Sequence, residues 1–424
     1  MLKIIILIFS LLFINSCEKV TSRDNSYSGS CKVVEQNRYV YNFMQENYLW
    51  YQDIPELDYT AYESPYALFL DLTVPKDKWS FIIDKKTFDD YFSGKGYVGY
   101  GFKFAKLNGR YYLQMVLKES PASKSNLQRG DEIVKIDGKE ITSTDMNEVI
   151  NLLGPREVGV SREFTIRKKD GSIVNVTLTK ESVAVNSVLE KRIIDEGEHT
   201  VGYLLFDKFI ATSTKELEET FKYFKENGID SLVIDMRYNG GGLVSVAKDL
   251  ASLIRTENSS DLLFTLQFND KNRDRDLEYY FESSSSSLNG IDKVYFLTTE
   301  ATCSASEAVI NGLKPYVAVK VIGSTTCGKP VGMVGGEFCD KYIVPIEFEI
   351  LNSQKEGRYF DGINPNCYVK DDLNHNLGDE NEAMLKEAIA QINGYSCTSN
   401  NRKAREIEKQ TDSVNMLNSL INSY

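Results

Sequence analysis

The stretch from Thr298 to Val331 constrains the fold of this 424-residue chain more than any other segment. An apolar run ends at Leu297, small residues follow it, and a helical pattern begins at Ala305. A second β-branched run covers residues 317–322 and leads into a loop that contains glycine. Strand, turn, helix, strand and loop in this order predict a βαβ unit, in which the helix N-terminus and the second loop lie at one edge of a sheet.

Ser304 stands where that helix begins, and a hydroxyl at this position has two uses. It can cap the helix, because Ser304, Ala305, Ser306 and Glu307 together spell a capping box. It can instead be a nucleophile whose tetrahedral oxyanion is held by the free backbone N–H of Ala305 at the positive end of the helix. The local pattern alone favours the cap, because capping boxes are common and nucleophiles are rare.

A nucleophile would also need a base. The chain has two histidines, His199 and His375, and neither lies in a turn of small residues, so the pattern gives poor support to a Ser-His-Asp triad. A buried lysine can replace histidine, because desolvation disfavours the ammonium form and lowers the pKa of the amine. Lys329 is the lysine of the glycine-flanked loop that follows the helix of Ser304. A single lysine in a loop is usually solvated, so both interpretations of Lys329 stay open at this point.

Residues 303–315 and 321–332 are similar to the catalytic segment of the C-terminal-processing (tail-specific) peptidases. These enzymes are serine peptidases that use a Ser-Lys dyad, and the spacing of Ser304 and Lys329 matches the family pattern. The resemblance therefore implies that Ser304 is the nucleophile and that Lys329 is the base.

The second signature of that family is an Asp-x-Arg-x-Asn-x-Gly-Gly turn after a buried strand, and residues 235–242 resemble it. The resemblance implies that a backbone amide of this turn completes the oxyanion hole beside Ala305. Gly241 is the first candidate and Gly240 the second. Many family members also carry a Gln four residues after the lysine, and this chain has Met333 there.

Residues 98–102 look like the carboxylate-binding loop of a PDZ domain, and residues 120–133 match a Ser-Pro-Ala…Gly-Asp-x-Ile turn of the same family. Residues 145–153 would then form the helix that lines the groove. A groove of this kind takes an extended peptide as an added strand and holds its terminal carboxylate on backbone N–H groups. The substrate-binding residues implied by this resemblance are Tyr100, Gly101 and Phe102. The alternative is a PDZ-like scaffold or regulatory flap that binds no peptide.

The first residues are typical of an export signal. Residues 1–3 include a lysine, and the apolar run 4–14 is too short to span a bilayer as a stable anchor. Residues 13–17 resemble a bacterial lipobox, which implies that Cys17 carries lipid and that several acyl chains hold the protein at a membrane. We expect an outer membrane lipoprotein that faces the periplasm or the surface. An ordinary signal peptide with a chance cysteine is the alternative.

The resemblance implies a multidomain α+β fold. It consists of a small helical N-terminal domain, a PDZ domain that is β-rich with one or two helices, and an α/β peptidase core of the crotonase/ClpP-like type. The predicted boundaries are 1–17 for the signal peptide and lipobox, 18–32 for a tether, 33–93 for the helical domain, 94–183 for the PDZ domain, 184–395 for the core and 396–424 for a partly helical tail. We interpret the aromatic residues of the helical domain, including Trp50 and Trp79, as core.

Within the predicted core, apolar patterns favour strands at 201–206 and 232–234 and helices at 213–227 and 244–254. Ligand sites of α/β sheets gather at the carboxyl ends of the strands. The glycine-rich turn and Ser304 both fall at such positions.

The formal net charge of −12 argues against a nucleic acid partner. Of the seven cysteines, six follow Cys17, and disulfides between them are allowed in an exported protein. No Cys-x-x-Cys pair occurs, so we expect no structural zinc and no other metal or cofactor. Cys303 and Cys327 flank the proposed dyad, and we expect buried thiols there. A disulfide between them is one alternative, and Cys303 as the nucleophile is another.

We predict an exported serine endopeptidase that cleaves unfolded or C-terminally exposed polypeptides. Ser304 attacks the scissile carbonyl, Lys329 takes its proton, and the amides of Ala305 and Gly241 hold the oxyanion. One alternative is a catalytically weak or inactive lipoprotein that binds peptides in the PDZ groove, which Met333 favours. A purely structural or sensory lipoprotein is the other. The sequence predicts no oligomeric state.

Overall fold

The computed structural model of the chain describes residues 27, 29–92, 97–141, 146–184 and 186–398. The predicted lipobox with Cys17 and nearly all of the predicted tail lie outside the described residues. Among the helices that the structure describes, none combines the length and the apolar character that crossing a bilayer requires. The predicted multidomain α+β organisation is confirmed.

The N-terminal region is mainly helical. Its elements are α1 (Val33–Asn47), α2 (Pro65–Leu72), β1 (Phe81–Asp84) and α3 (Lys85–Phe92), with 3-10 turns at Tyr51–Asp53 and Tyr59–Ala61. Its apolar core, which includes Val40, Phe43 and Tyr48, continues into Val331 and Ile346 far along the chain. The N-terminal region therefore shares a core with the peptidase region and does not stand apart from it.

The second region has its own apolar core and is mostly strand. Its elements are β2 (Tyr97–Gly99), β3 (Phe102–Leu107), β4 (Arg110–Val116), α4 (Pro121–Lys124), β5 (Glu132–Ile136), β6 (Lys139–Glu140), α5 (Met146–Leu152), β7 (Ser161–Arg167), β8 (Ile173–Thr179) and β9 (Glu181–Val183). The strand order is β3-β4-β5-β7-β8, which leaves β3 at an edge of the sheet. Helix α5 takes the place predicted for the groove-lining helix.

The third region is the α/β part. Its elements are β10 (Val188–Glu196), β11 (His199–Phe206), α6 (Ser213–Glu226), β12 (Ser231–Asp235), α7 (Val244–Ile254), β13 (Leu262–Phe268), β14 (Leu277–Tyr280), β15 (Lys293–Thr298), α8 (Ala305–Leu313), β16 (Ala318–Gly323), β17 (Val331–Gly332), β18 (Gly336–Phe338), β19 (Lys341–Val344), β20 (Phe348–Asn352), β21 (Cys367–Tyr368) and α9 (Ala383–Ile392). A 3-10 turn covers Asp270–Arg275. The four elements predicted from apolar patterns in this region are all present.

The main sheet has the order β10-β11-β12-β15-β16-β21, and every pairing except β10 with β11 is parallel. Leu232, Val233 and Ile234 of β12 are fully buried, as expected for a parallel strand that is covered on both faces. Because β12 and β15 are parallel neighbours, their carboxyl ends meet at one edge of the sheet. The glycine-rich turn and the turn of Ser304 therefore lie side by side.

The N-terminal region is joined to the α/β region by a strand pair and a covalent bond. Strand β1 pairs with β19 in antiparallel register, with Phe81 opposite Val344. The disulfide Cys31–Cys339 ties the start of the helical region to the turn between β18 and β19. These long-range links hold the N-terminal region against the loop that follows Lys329.

Candidate active site

Ser304 sits in a sharp turn between β15 and α8. Its backbone has φ 57° and ψ −114°, a conformation that non-glycine residues rarely adopt. The turn is held on both sides, because the Cys303 amide donates to the Asn239 carbonyl at 3.0 Å and the Ser304 amide donates to Glu307 Oε2 at 2.9 Å. A strained strand-to-helix turn of this kind is typical of nucleophilic serines in α/β hydrolases.

Gly241 lies directly against this turn. A Cβ atom on Gly241 would lie 2.8 Å from the Ala305 nitrogen and 2.9 Å from Ser304 Cβ, and its φ of +95° also favours glycine. The structure thus brings together three of the predicted site residues: Ser304, Ala305 and Gly241. Glycine is needed here because the two turns approach each other too closely for a side chain.

The backbone amides around Ser304 differ in their hydrogen bonds. Ala305 is the first residue of α8, so its N–H has no acceptor within the helix. The Gly241 N–H donates to Asn239 Oδ1 at 2.9 Å, so it can face an oxyanion only when that bond opens. Within the described part of the chain, the amide of Gly240, the second candidate, has no acceptor. The assignment of the oxyanion donors stays a prediction.

Lys329 is buried in the loop after β16, with 1% of its surface exposed. Burial lowers the pKa of its amine to about 8, and the negative charges of Asp77 and Glu307 oppose that shift. Asp77 belongs to the N-terminal region, and no local sequence pattern connects it with the site. The environment of Lys329 is therefore built by two regions of the chain.

Glu307 connects the serine turn with the lysine loop. Its buried carboxylate accepts the amide N–H of Ser304 at 2.9 Å and that of Lys329 at 2.8 Å, both on Oε2. It also accepts the Gly328 N–H at 2.8 Å and the Thr326 hydroxyl on Oε1. Burial raises the pKa of Glu307, while these donors lower it by stabilising the carboxylate. The capping-box pattern predicted only a helix cap at Glu307, whereas in the structure its carboxylate binds the backbone of both Ser304 and Lys329.

A disulfide also joins the two segments. Cys303 and Cys327 are bonded, with their Cα atoms 5.2 Å apart. The predicted buried thiols are therefore wrong, and so is the alternative in which Cys303 is the nucleophile, because its sulfur is already bonded. The sequence could not decide between these options because α8 and β16 separate the two cysteines.

Two groups of side chains among the described residues have metal-ligand geometry, and each contains two cysteines and one glutamate. The groups are Cys303, Glu307 and Cys327, and Cys367, Glu387 and Cys397. Both cysteine pairs form disulfides, so neither group offers thiolates to a metal ion.

The two histidines lie on other parts of the fold. His199 begins β11, at the opposite end from the glycine-rich turn, and its ring lies 3.2 Å from Asp230. His375 contacts Asp372 in the loop that follows β21. In the described structure, the hydrogen bonds of both imidazoles involve these carboxylates and not the Ser304 turn.

The Asp-x-Arg part of the glycine-rich signature builds an ion network. The fully buried Arg237 guanidinium donates to Asp235 at 2.8 Å and to Glu382 at 2.7 Å, and it reaches Asp371 at 2.9 Å. Asp371 also accepts from Arg129 of the PDZ-like region. These contacts anchor the turn that carries the glycines, because a buried charge is tolerated only with such partners.

The predicted carboxylate-binding residues are interior. Tyr100 and Phe102 are at most 1% exposed and belong to the core of their domain, and Gly101 is buried between them. The Tyr100 hydroxyl donates to the Leu153 carbonyl at 3.0 Å. In this loop a peptide could therefore meet the backbone but not the side chains of Tyr100 and Phe102. The adjacent Lys103 reaches Asp207 and the Tyr238 carbonyl, which places the start of β3 against the glycine-rich turn.

Comparison with known proteins gives matches along most of the chain. The model of the peptidase S41 N-terminal domain matches residues 35–81, a PDZ domain model matches residues 98–179, and the model of peptidase family S41 matches residues 200–369. The last match contains the glycine-rich turn, Ser304 and Lys329.

Curated relatives include candidate CtpA-like serine proteases of two staphylococci. The protein of Staphylococcus haemolyticus is 26% identical over 308 residues, which cover 72% of this chain and 58% of the relative. That of Staphylococcus aureus is 26% identical over 337 residues, which cover 79% of this chain and 63% of the relative. The chain thus spans about three fifths of the length of these relatives.

Solved structures show the same architecture. A candidate S41 protease of Bacteroides fragilis is 26% identical, with a TM-score of 0.70 over 84% of this chain and 97% of that chain. The photosystem II D1 C-terminal processing protease is 18% identical, with a TM-score of 0.52 over 79% of this chain and 92% of that chain. The second likeness shows the fold alone.

Proposed function

Because the chain belongs to peptidase family S41, we propose that it is a serine endopeptidase in which Ser304 and Lys329 form a catalytic dyad. The observation that carries this proposal is the Glu307 carboxylate, which binds the backbone of both residues through one oxygen atom. The strained serine turn and the buried amine with a lowered pKa support the same assignment.

In the proposed reaction, Ser304 Oγ attacks the scissile carbonyl while the neutral Lys329 amine takes its proton. The Ala305 amide and an amide of the glycine-rich turn hold the oxyanion, and the loss of one such donor is worth about 3 kcal/mol in the barrier. The Lys329 ammonium then returns the proton to the leaving amine, and an acyl-enzyme remains on Ser304. Water, deprotonated by the same lysine, releases the acyl group and restores the serine.

The substrates that we propose are unfolded or C-terminally exposed polypeptides. An extended chain can add to the free edge of β3, and the start of that strand lies against the glycine-rich turn through Lys103. Peptides with a free and with an amidated C-terminus test this part. Carboxylate capture predicts tighter binding of the free form, and equal affinities would contradict it.

We also propose that the protein is an exported lipoprotein. Residues 1–17 support an export signal with a lipobox, and the three disulfides of the described structure fit an oxidising compartment. The disulfides use six of the seven cysteines and leave Cys17 for lipid. Detergent phase partition tests this, since Cys17→Ser should move the protein to the aqueous phase. If the variant and the wild type partition alike, the anchor proposal fails.

The direct test of the peptidase is digestion of casein by the chain without its first 17 residues, beside Ser304→Ala and Lys329→Ala. The wild type should cleave casein, and both variants should be inactive while they melt like the wild type. If the wild type cleaves no faster than either variant across a wide pH range, the peptidase proposal is wrong.

The second candidate function is peptide binding without cleavage, and Met333 favours it. Met333 packs among apolar side chains of two core clusters and offers no hydrogen-bond donor, whereas many members of the resembled family carry a glutamine at this position. Casein digestion separates the two functions, because a peptide holder binds unfolded protein and leaves it intact.

A further inference from the structure

The disulfide Cys303–Cys327 has an unusual place relative to the proposed dyad. Cys303 directly precedes Ser304, and Cys327 stands two residues before Lys329. The covalent bond therefore joins the nucleophile turn to the base loop, across a closed segment that contains α8 and β16. No other covalent link along the described chain connects these two turns.

Apart from this bond, the lysine loop is held by hydrogen bonds and by packing in the interior. Residues 325–330 contain no helix or strand. Their hydrogen bonds to the serine side include those with Glu307 and that of the Cys327 amide, which donates to the Thr302 carbonyl at 3.0 Å, and Thr326 exchanges two more with Ile363. Each such bond contributes about 1 kcal/mol net, or about 1.5 to 3 kcal/mol where the acceptor is a charged carboxylate. A cross-link removes conformational freedom that these bonds would otherwise have to restrain.

The position of the lysine is sensitive to such freedom for two reasons. The reaction needs the amine within hydrogen-bond reach of the hydroxyl, and misplacement by about 1 Å can lower a rate about 100-fold. Lys329 must also stay desolvated to be neutral near physiological pH. Both conditions depend on how closely the loop 325–330 packs on the Ser304 turn.

The other two disulfides do not join these turns. Cys31–Cys339 ties the N-terminal segment to the turn between β18 and β19, and Cys367–Cys397 ties β21 to the segment after α9. They provide internal controls, because their loss removes a cross-link without freeing the lysine loop. Cys327 is partly exposed, so a thiol reagent can reach the bond beside the dyad.

We propose that the Cys303–Cys327 disulfide positions the dyad and makes the peptidase active only in its oxidised form. This inference rests on the proposed function. Oxidation forms one S–S bond as the two cysteine thiols give up two protons and two electrons. The acceptor is the disulfide of a thiol–disulfide exchange protein, which is reduced to two thiols. A chain still in a reducing compartment would lack the bond and would cleave little until it is exported.

The first test compares two double variants, Cys303→Ser with Cys327→Ser and, as the matched control, Cys367→Ser with Cys397→Ser. Each removes one disulfide beside a buried glutamate. We expect the first to lower kcat on an unfolded protein about 10- to 100-fold with little change in KM. The acid limb of its pH–rate profile should move to higher pH, because a looser loop hydrates the lysine and raises its pKa. The control should keep kcat and the profile.

The second test reduces the wild type under native conditions with a graded dithiol and maps each disulfide by mass spectrometry. Activity should fall in step with reduction of Cys303–Cys327 and recover on reoxidation. This test also decides the matter if the Cys303→Ser, Cys327→Ser variant does not fold.

Full activity of protein with Cys303–Cys327 reduced, or equal losses in the two double variants, would overturn the inference. Failure of the proposed peptidase function can be told apart from failure of this inference. In that case even the oxidised wild type would show no cleavage that depends on Ser304.

Discussion

Two buried lysines, one in the PDZ-like region and one in the α/β region, have the same lowered pKa and different surroundings. Burial lowers the pKa of both Lys180 and Lys329 to about 8. The Lys180 amine donates to the carbonyls of Gly154 and Pro155 at 2.8 and 2.9 Å and lies 5.1 Å from the centre of the Tyr100 ring. Lys329 lies instead in a loop that is fixed to the Ser304 turn.

A lowered pKa alone therefore does not identify a catalytic base. At Lys180 the amine donates to two backbone carbonyls that follow helix α5, so its role is to satisfy buried acceptors of its own domain. At Lys329 the carboxylate of Glu307 and a disulfide bring the loop to a strained serine. We infer chemistry only at Lys329 because its backbone shares one carboxylate oxygen with that of Ser304, the proposed nucleophile.

The largest predicted change in kcat/KM should distinguish Lys329 from Lys180. Lys329→Met removes the proposed base and should lower kcat/KM on an unfolded protein by about 1000-fold or more. Lys180→Met removes an amine of the same pKa that touches no reacting group, so kcat/KM should stay within about twofold. Steady-state kinetics on both variants make the comparison, with circular dichroism to check folding. A similar loss of activity in the two variants would contradict the claim that only Lys329 acts in catalysis.

A second prediction concerns the carboxylate that fixes the lysine loop. Glu307→Gln replaces an acceptor oxygen with an NH₂ group that faces a backbone N–H, so at least one of the bonds to Ser304, Gly328 or Lys329 is lost. We expect kcat to fall about 10- to 100-fold. The matched control is Glu387→Gln, which alters a buried glutamate that accepts from Gln391 and Thr398.

The control should lower the melting temperature and leave kcat unchanged. Activity assays and thermal melts of the two Gln variants separate positioning from stability. Retention of full activity by Glu307→Gln would show that the shared carboxylate does not position the dyad.

The smallest predicted effect is on stability. Because the pKa of Lys180 is lower in the folded protein, the unfolded chain binds more protons between about pH 8 and the ordinary pKa of lysine, near 10.5. The penalty for burying this amine is fully present below about pH 8 and fades as the pH rises. The free energy of unfolding should therefore gain up to about 2 kcal/mol from about pH 8 to about pH 9.5.

Urea unfolding of the wild type and of Lys180→Met over this range measures the gain. In Lys180→Met, the increase in the free energy of unfolding should be smaller by the contribution of Lys180. The similar contribution of Lys329 should remain in the variant. Identical pH dependence in both proteins would contradict the assigned cause.

Local patterns predicted the elements around the site well. Helix α7 has the predicted bounds, and the strands that end at the glycine-rich turn and before Ser304 were found from their apolar runs. The order of the elements placed the glycine-rich turn and Ser304 at the carboxyl ends of strands, and the family resemblance singled out Gly241.

Contacts between distant segments could not be read in this way. The approach of Asp77 to Lys329, the pairing of β1 with β19 and the Cys303–Cys327 bond depend on how whole regions pack. Glu307 was recognised only as a helix cap because its second role depends on a loop on the far side of β16. Tyr100 and Phe102 fit the binding-loop pattern, but their side chains are part of the core, and the pattern does not distinguish packing from contact with a ligand.

The most direct test of the central claim is the pH dependence of kcat/KM for an unfolded protein, from about pH 6 to about pH 9.5. A neutral Lys329 amine as the base predicts a rate that rises with an apparent pKa of about 8 and then levels, with the same profile in Lys180→Met. A profile that is flat over this range, or one that loses its rise in Lys180→Met and keeps it in Lys329→Met, would contradict the account.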